Sequence, residues 1–283
     1  MDSAILLISC PDRKGIVKEI ASFIADNGGN ILHFDQHIDS QKGIFFARVE
    51  WDITDFRFRG GDIEEAFKPI AERFSMNYSL HFGGELQRVA VFVSRQEHCF
   101  YDLMQRFRSG ELKGDVKLVV SNHPDLKPIA DFFGVPYYYI PKTKENKREA
   151  EEKELALLEE YGIDTIILAR YMQILSREFV DRFRNRIINI HHSFLPAFPG
   201  AKPYHRAYER GVKIIGATSH YVTEILDEGP IIEQDIIRVS HRDSLEDFIR
   251  KGKDIERIVL ARAVKWHLER KVLVYDNKTV VFD

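Results

Sequence analysis

The spacing of apolar residues changes character at Gly83-Gly84-Glu85, and that change constrains the fold more than any single motif. Before it, residues 4–10 form a strand-like run, and Ile16, Val17, Ile20, Phe23 and Ile24 recur at helical spacing within 14–26. Gly28-Gly29-Asn30 ends that helix, and residues 31–38 and 44–51 read as two strands joined by a turn at Ser40-Gln41-Lys42-Gly43. A helix at 62–74 and a strand at 77–82 complete a β-α-β-β-α-β order, the ferredoxin-like arrangement. After the glycines, strands (89–93, 116–121, 137–140, 165–169, 187–190) alternate with helices (97–108, 125–133, 143–161, 177–184). Such alternation calls for a mostly parallel sheet with helices on both faces, because each parallel step needs a crossover. The expected fold class is α/β in two domains: a ferredoxin-like βαββαβ domain over 1–83, then a Rossmann-like domain over 84–283.

The chain has 283 residues, enough for two cores. Its 41 basic residues nearly balance 44 acidic ones, with no dense basic stripe, which argues against a nucleic-acid partner. The run 142–153 is charged but mixed in sign and is expected to be a solvated helix face. Cys10 and Cys99 are far apart and neither has a Cys-x-x-Cys neighbour, so a disulfide framework and a thiolate metal site both lack support and a reducing cytoplasm fits best. The apolar run 4–10 is too short to span a bilayer, has no basic flank before it, and stops at Pro11-Asp12-Arg13-Lys14-Gly15; no membrane partner is expected.

Ligands of parallel sheets bind beyond the carboxyl ends of the strands. Asn189 and His191 lie at such an end and are two residues apart, which points both side chains to one face. Residues 214–222 and 230–237 read as strands, and the loop between them can carry Asp227 across the cleft. Together these three side chains offer an amide, an imidazole and a carboxylate, the groups needed to move an acyl unit without a metal or a covalent nucleophile. Each has a bland alternative: a turn-forming Asn, a locally bonded His, an Asp in turn chemistry. Metal-dependent hydrolysis would draw on His191, His192, His205, His220 and Asp227, but no paired spacing binds these into a ligand set, so no metal is expected.

The run Asn189-Ile190-His191-His192-Ser193-Phe194-Leu195-Pro196-Ala197-Phe198-Pro199-Gly200, with His220-Tyr221-Val222-Thr223 and Leu226-Asp227-Glu228-Gly229-Pro230, resembles the folate-dependent formyltransferase superfamily over about residues 87–283. The resemblance implies catalytic roles for Asn189, His191 and Asp227. It also implies a folate pocket at Leu168-Ala169-Arg170-Tyr171-Met172-Gln173-Ile174-Leu175-Ser176, with Arg170, Met172, Ile174, Leu175, His220 and Val222 as binding residues. Transferases of this superfamily cradle a nucleotide phosphate on a glycine-rich loop after the first strand. Here that loop reads Val93-Ser94-Arg95-Gln96-Glu97-His98, without glycine, although Ser94 and Arg95 can still hold an anion. The N-terminal segment resembles ACT domains at Cys10-Pro11-Asp12-Arg13-Lys14-Gly15-Ile16-Val17 and Asn27-Gly28-Gly29-Asn30-Ile31.

An ACT domain joined to this catalytic domain is similar to the branch of the superfamily that hydrolyses 10-formyltetrahydrofolate to tetrahydrofolate and formate. That branch implies a role in one-carbon metabolism and in formate supply for purine biosynthesis, with the folate as substrate and no separate cofactor. It also implies a homo-oligomer, and Asp12, Gly15 and Asn30 are a candidate amino-acid effector site, with a purely structural role as turn and helix caps, or an oligomer-forming one, as the open alternative. Two alternatives stay open at this point: formyl transfer to an amine acceptor, and a non-catalytic amino-acid-sensing protein.

Overall fold

The computed structural model describes residues 2–197 and 203–283. Phe198, Pro199 and Gly200 of the long motif lie outside the described residues. The chain forms two compact units, one of residues up to Glu85 with 270–273 and 280–283, the other of Leu86–Glu269 with 274–279.

The first unit runs β1 (Ser3–Pro11), α1 (Ile16–Asp26), β2 (Asn30–Asp39), β3 (Ile44–Asp52), α2 (Gly61–Phe74) and β4 (Asn77–Phe82). Its sheet has the order β2-β3-β1-β4, antiparallel throughout, so the two central strands are the first and third in sequence. The 3.6-residue period of α1 buries Ile16, Ile20 and Ile24, and that of α2 buries Ile63, Phe67, Ala71 and Phe74. These meet Phe45, Ala47, Val49 and Trp51, alternate residues of β3, in one core. Glycine is required at Gly29, where a Cβ would approach Ile24, Phe56 and Trp51 to 2.9 Å or less. From the C-terminal residues, Arg270 accepts a hydrogen bond of 3.0 Å from buried Arg48 on its backbone oxygen, and Phe282 is fully buried.

The second unit holds a seven-stranded sheet ordered β11-β10-β9-β8-β5-β6-β7. Its strands are β5 (Gln87–Val93), β6 (Gly114–Ser121), β7 (Tyr137–Tyr139), β8 (Thr165–Ala169), β9 (Ile187–His191), β10 (Ile214–Tyr221) and β11 (Ile231–Arg238). Strands β5 to β9 are parallel, and β10 and β11 extend the sheet in antiparallel fashion. All five residues of β8 are buried, as expected of a strand covered on both faces. The crossovers are α3 (His98–Ser109), α4 (Lys127–Phe133), α5 (Lys147–Glu160) and α6 (Arg177–Arg182).

Two sequence expectations need correction. No element is read from the sequence after residue 237, yet α8 (Leu245–Leu268) is the longest helix described and packs on β9, β10, β11 and α3. A short helix α7 (Pro203–Arg210) and the strands β12 (Val272–Tyr275) and β13 (Lys278–Val281) are further additions. The mixed-charge run 142–153 is not simply a solvated face: the Lys142 side chain is 1% exposed, and Glu151 is buried with it. Pairing with acidic partners is what permits that burial.

Candidate active site

Strand β9 ends on Asn189 and His191, and the pleat turns both to the same face. Its antiparallel register with β10 sets His220 opposite Asn189 and Thr218 opposite His191. Cross-strand partners share a face, so Asn189 Nδ2 lies 3.3 Å from His220 Nε2. The other ring nitrogen, His220 Nδ1, donates to the Tyr221 carbonyl at 2.9 Å, which fixes the ring plane.

Asp227 reaches these groups from the loop between β10 and β11. Its φ of 58° is left-handed, a conformation uncommon for a side-chain-bearing residue and concentrated at functional sites. The loop closes tightly: Tyr221 N–H donates to the Pro230 carbonyl at 2.9 Å, and a Cβ on Gly229 would fall 1.7 Å from the Tyr221 oxygen. The result places Asp227 Oδ2 3.1 Å from His191 Nδ1 and Oδ1 3.6 Å from His220 Nε2. Burial opposes ionisation of Asp227, but the contacts from His191 and His220 outweigh it and hold the carboxyl well below the usual carboxylate range. Among the described residues, buried His191 Nε2 and Ser193 Oγ have no hydrogen-bond partner. An orphan ring nitrogen of this kind invites a functional explanation.

A cavity of about 590 Å³ opens onto the four residues, a size that suits a drug-sized organic ligand. One wall follows β8: Arg170, itself left-handed at φ 62°, then Met172, Ile174 and Leu175, with Val222 beside them. Met172 and Ile174 are each 58% exposed, apolar surface turned to solvent at the cavity rim. Leu175 borders the cavity but is buried in the core with Phe179, and Val222 packs on the same core. The cavity thus brings together Asn189, His191, Asp227, Arg170, Met172, Ile174, Leu175, His220 and Val222.

Tyr204 and Glu256, which the sequence does not single out, line the same cavity. Glu256 of α8 is buried and accepts hydrogen bonds from Tyr204 Oη at 2.5 Å and His98 Nε2 at 2.8 Å, with Arg170 Nε 3.5 Å away. Burial raises the cost of ionising Glu256, but His98 and Arg170 hold its carboxyl below the ordinary value. Burial first, then the Arg170 charge, pushes the His192 imidazole down to about 3. Glu256 would have been found only by recognising α8, where a lone acid sits among Phe248, Ile255, Val259 and Val264 on the buried face. His98, Cys99 and Glu256 are close enough to share an ion, a set different from the histidines considered in the sequence. The Arg170 charge and a Cys99 thiol pushed up by burial are poor company for a cation there.

In the first unit, Gly15 has φ 97° at the start of α1, a helix end with no side-chain cap. Asp12 is exposed, with its backbone N–H donating to Gly43 at 2.8 Å, and Asn30 opens β2, also exposed.

A family model described as formyl transferase matches residues 87–264, and an ACT domain model matches residues 4–71, which defines an ACT-linked protein of the formyl transferase class. The formyltetrahydrofolate deformylase of Synechocystis sp. is 58% identical, with 99% of this chain and 98% of the relative aligned. The Bacillus subtilis deformylase is 51% identical over 100% of this chain and 94% of its own. A crystal structure of the Pseudomonas syringae deformylase superposes with TM-score 0.97 at 48% identity, covering 100% of this chain and 95% of that one. The chain belongs to the formyltetrahydrofolate deformylase family.

Proposed function

We propose that the protein hydrolyses 10-formyltetrahydrofolate to tetrahydrofolate and formate, and that Asn189, His191 and Asp227 carry the reaction. The observation that carries this reading is the convergence of His191, Asp227, His220 and Asn189 at a cavity with one apolar wall. The folate lies along Arg170, Met172, Ile174 and Leu175, with His220 and Val222 at its formyl end. Asp227, kept ionised, accepts a hydrogen bond from the attacking water and takes its proton as oxygen adds to the formyl carbon. Asn189 Nδ2 and His191 Nε2 donate to the oxyanion that forms, and one such donor is worth on the order of 10²–10³ in rate. The N10–carbon bond then breaks with the electron pair going to nitrogen, which takes a proton from His191, and the proton held by Asp227 passes to His191 across their 3.1 Å contact. The chemistry calls on no cofactor beyond the folate substrate.

The wider setting follows from the same reading. Formate released in this way would supply purine biosynthesis and balance one-carbon folate pools, in a cytoplasm consistent with two free, buried cysteines. No helix among the described residues is long and apolar enough to cross a membrane. The ACT unit offers the start of α1, around Asp12, Gly15 and Asn30, to a small amino acid such as glycine or methionine. Its edge strand β2 offers pairing to a second copy of the chain.

The deciding measurement is formate release from 10-formyltetrahydrofolate with no acceptor added. Formate and tetrahydrofolate in equal amounts are expected. Turnover only on addition of an amine, with formyl appearing on that amine, would establish a transferase instead.

A further inference from the structure

Residues 170–176, which form the apolar wall of the cavity, connect β8 to α6 without helix or strand hydrogen bonding. A segment of that kind is ordinarily mobile, because nothing in a ladder holds its backbone. Here it is fastened at three points. Tyr171 Oη donates to Glu154 Oε1 at 2.9 Å, Met172 N–H donates to Ser94 Oγ at 3.0 Å, and Ser176 N–H donates to Glu151 Oε1 at 3.1 Å. Two of the three acceptors are carboxylates of α5, and Lys142 joins them, 2.8 Å from Glu154 and 3.7 Å from Glu151.

The side chains of Lys142, Glu154 and Glu151 are 1%, 0% and 6% exposed. Removing three charges from water is costly, and an apolar set of similar volume would stabilise the fold at least as well. Fold stability is therefore a poor reason for the cluster, whereas its hydrogen bonds to Tyr171 and Ser176 supply a specific one. We infer that the buried Lys142–Glu154–Glu151 cluster is a positioning device that holds segment 170–176 in the shape that receives the folate. Lys142 offsets the charge of Glu154, and Lys147 stands 4.0 Å from Glu151; the carboxylates grip both ends of the segment; Ser94, itself donating to Asn122 at 2.6 Å, grips Met172. Met172 and Ile174 are thereby kept exposed at the rim instead of collapsing inward. None of the three cluster residues lines the cavity, so they act through Tyr171 and Ser176.

This inference rests on the folate reading of the cavity, and two readouts separate them. One is KM and kcat for formate release; the other is calorimetric titration with tetrahydrofolate, which needs no turnover. Glu154→Leu and Lys142→Met are expected to raise KM and the tetrahydrofolate Kd on the order of tenfold, the worth of about one charged hydrogen bond. The kcat is expected to stay within about twofold, because the groups at the formyl carbon are not moved. Glu154→Gln keeps an acceptor for Tyr171 and should recover part of the loss. Should Glu154→Leu fail to fold, Tyr171→Phe deletes only the donor and reads the same contact. Variants that fold, lose Tm and yet bind tetrahydrofolate like the wild type would overturn the inference, as would a loss confined to kcat. Wild-type protein that binds tetrahydrofolate without releasing formate would refute hydrolysis while leaving the inference to be judged on the variants' Kd. Wild-type protein that binds no tetrahydrofolate overturns both.

Discussion

Asp227 illustrates how far one residue depends on its neighbours. Its carboxylate does three things at once: it orients His191 through Nδ1, faces His220, and is left ionised far into the acid range. Replacing it by Asn preserves size and one acceptor but removes the charge and the base. Asp227→Asn should therefore retain tetrahydrofolate binding while formate release falls by on the order of 10²–10⁴, read by steady-state assay alongside calorimetry. Unchanged turnover would remove Asp227 from the mechanism. The pair Asn189 and His191 was legible in the sequence because a strand's period of two is fixed by backbone geometry. The contact of Asp227 with both histidines was not, because it depends on a left-handed backbone at 227 and a close return at Gly229. His98, Tyr204 and Glu256 were missed for a related reason: each becomes informative only beside the other two.

Among the elements, α8 lends Ile249, Lys253 and Glu256 to the cavity, and its N-terminus has a capping box in which Ser244 and Asp247 bond reciprocally. Its buried stripe carries both core residues and Glu256, so packing errors in the helix reach the site directly. Gly252 is the tightest place: a Cβ there would fall 2.2 Å from Tyr204 Cζ and 2.5 Å from its hydroxyl. On an exposed helix, Gly→Ala stabilises by up to about 1 kcal/mol. Here overpacking costs about 1–3 kcal/mol and displaces the ring that donates to Glu256. Gly252→Ala is thus expected to lower Tm in a thermal melt and to weaken turnover; a raised Tm would show that Tyr204 yields freely. Sequence periodicity located the elements up to β11 apart from α7, since each strand is a dense apolar run between turn residues. For α5 it mistook buried charges for solvated ones, because a charged residue reads as exposed until its partner is known.

At the scale of the molecule, each unit half-buries a histidine whose partial desolvation keeps it uncharged. His192 in the formyl transferase unit is pushed down to about 3 and His81 in the ACT unit to about 4, by burial first and then by Arg170 and Arg270 respectively. Both start from an ordinary value of 6.5, so between these limits the unfolded chain binds more protons than the folded one. The stability due to neutral burial is therefore complete above 6.5 and is lost as pH falls through the folded values. Tm should decline steadily from about pH 7 to about pH 4, and His81→Gln should flatten that decline. A His81→Gln profile parallel to wild type would contradict it. The sequence by itself determined the α/β class, the ferredoxin-like order of the first 82 residues, the parallel alternation after it, and the side-by-side placement of Asn189 and His191. All of these follow from periods of two and 3.6 that the backbone imposes locally. Only the tertiary structure decided that Asp227 meets His191 and His220, that Glu256 comes from a helix to oppose Arg170, and that Lys142 can be buried at all. Those outcomes depend on charges finding partners far along the chain, and a residue's charge does not say where its partner will be.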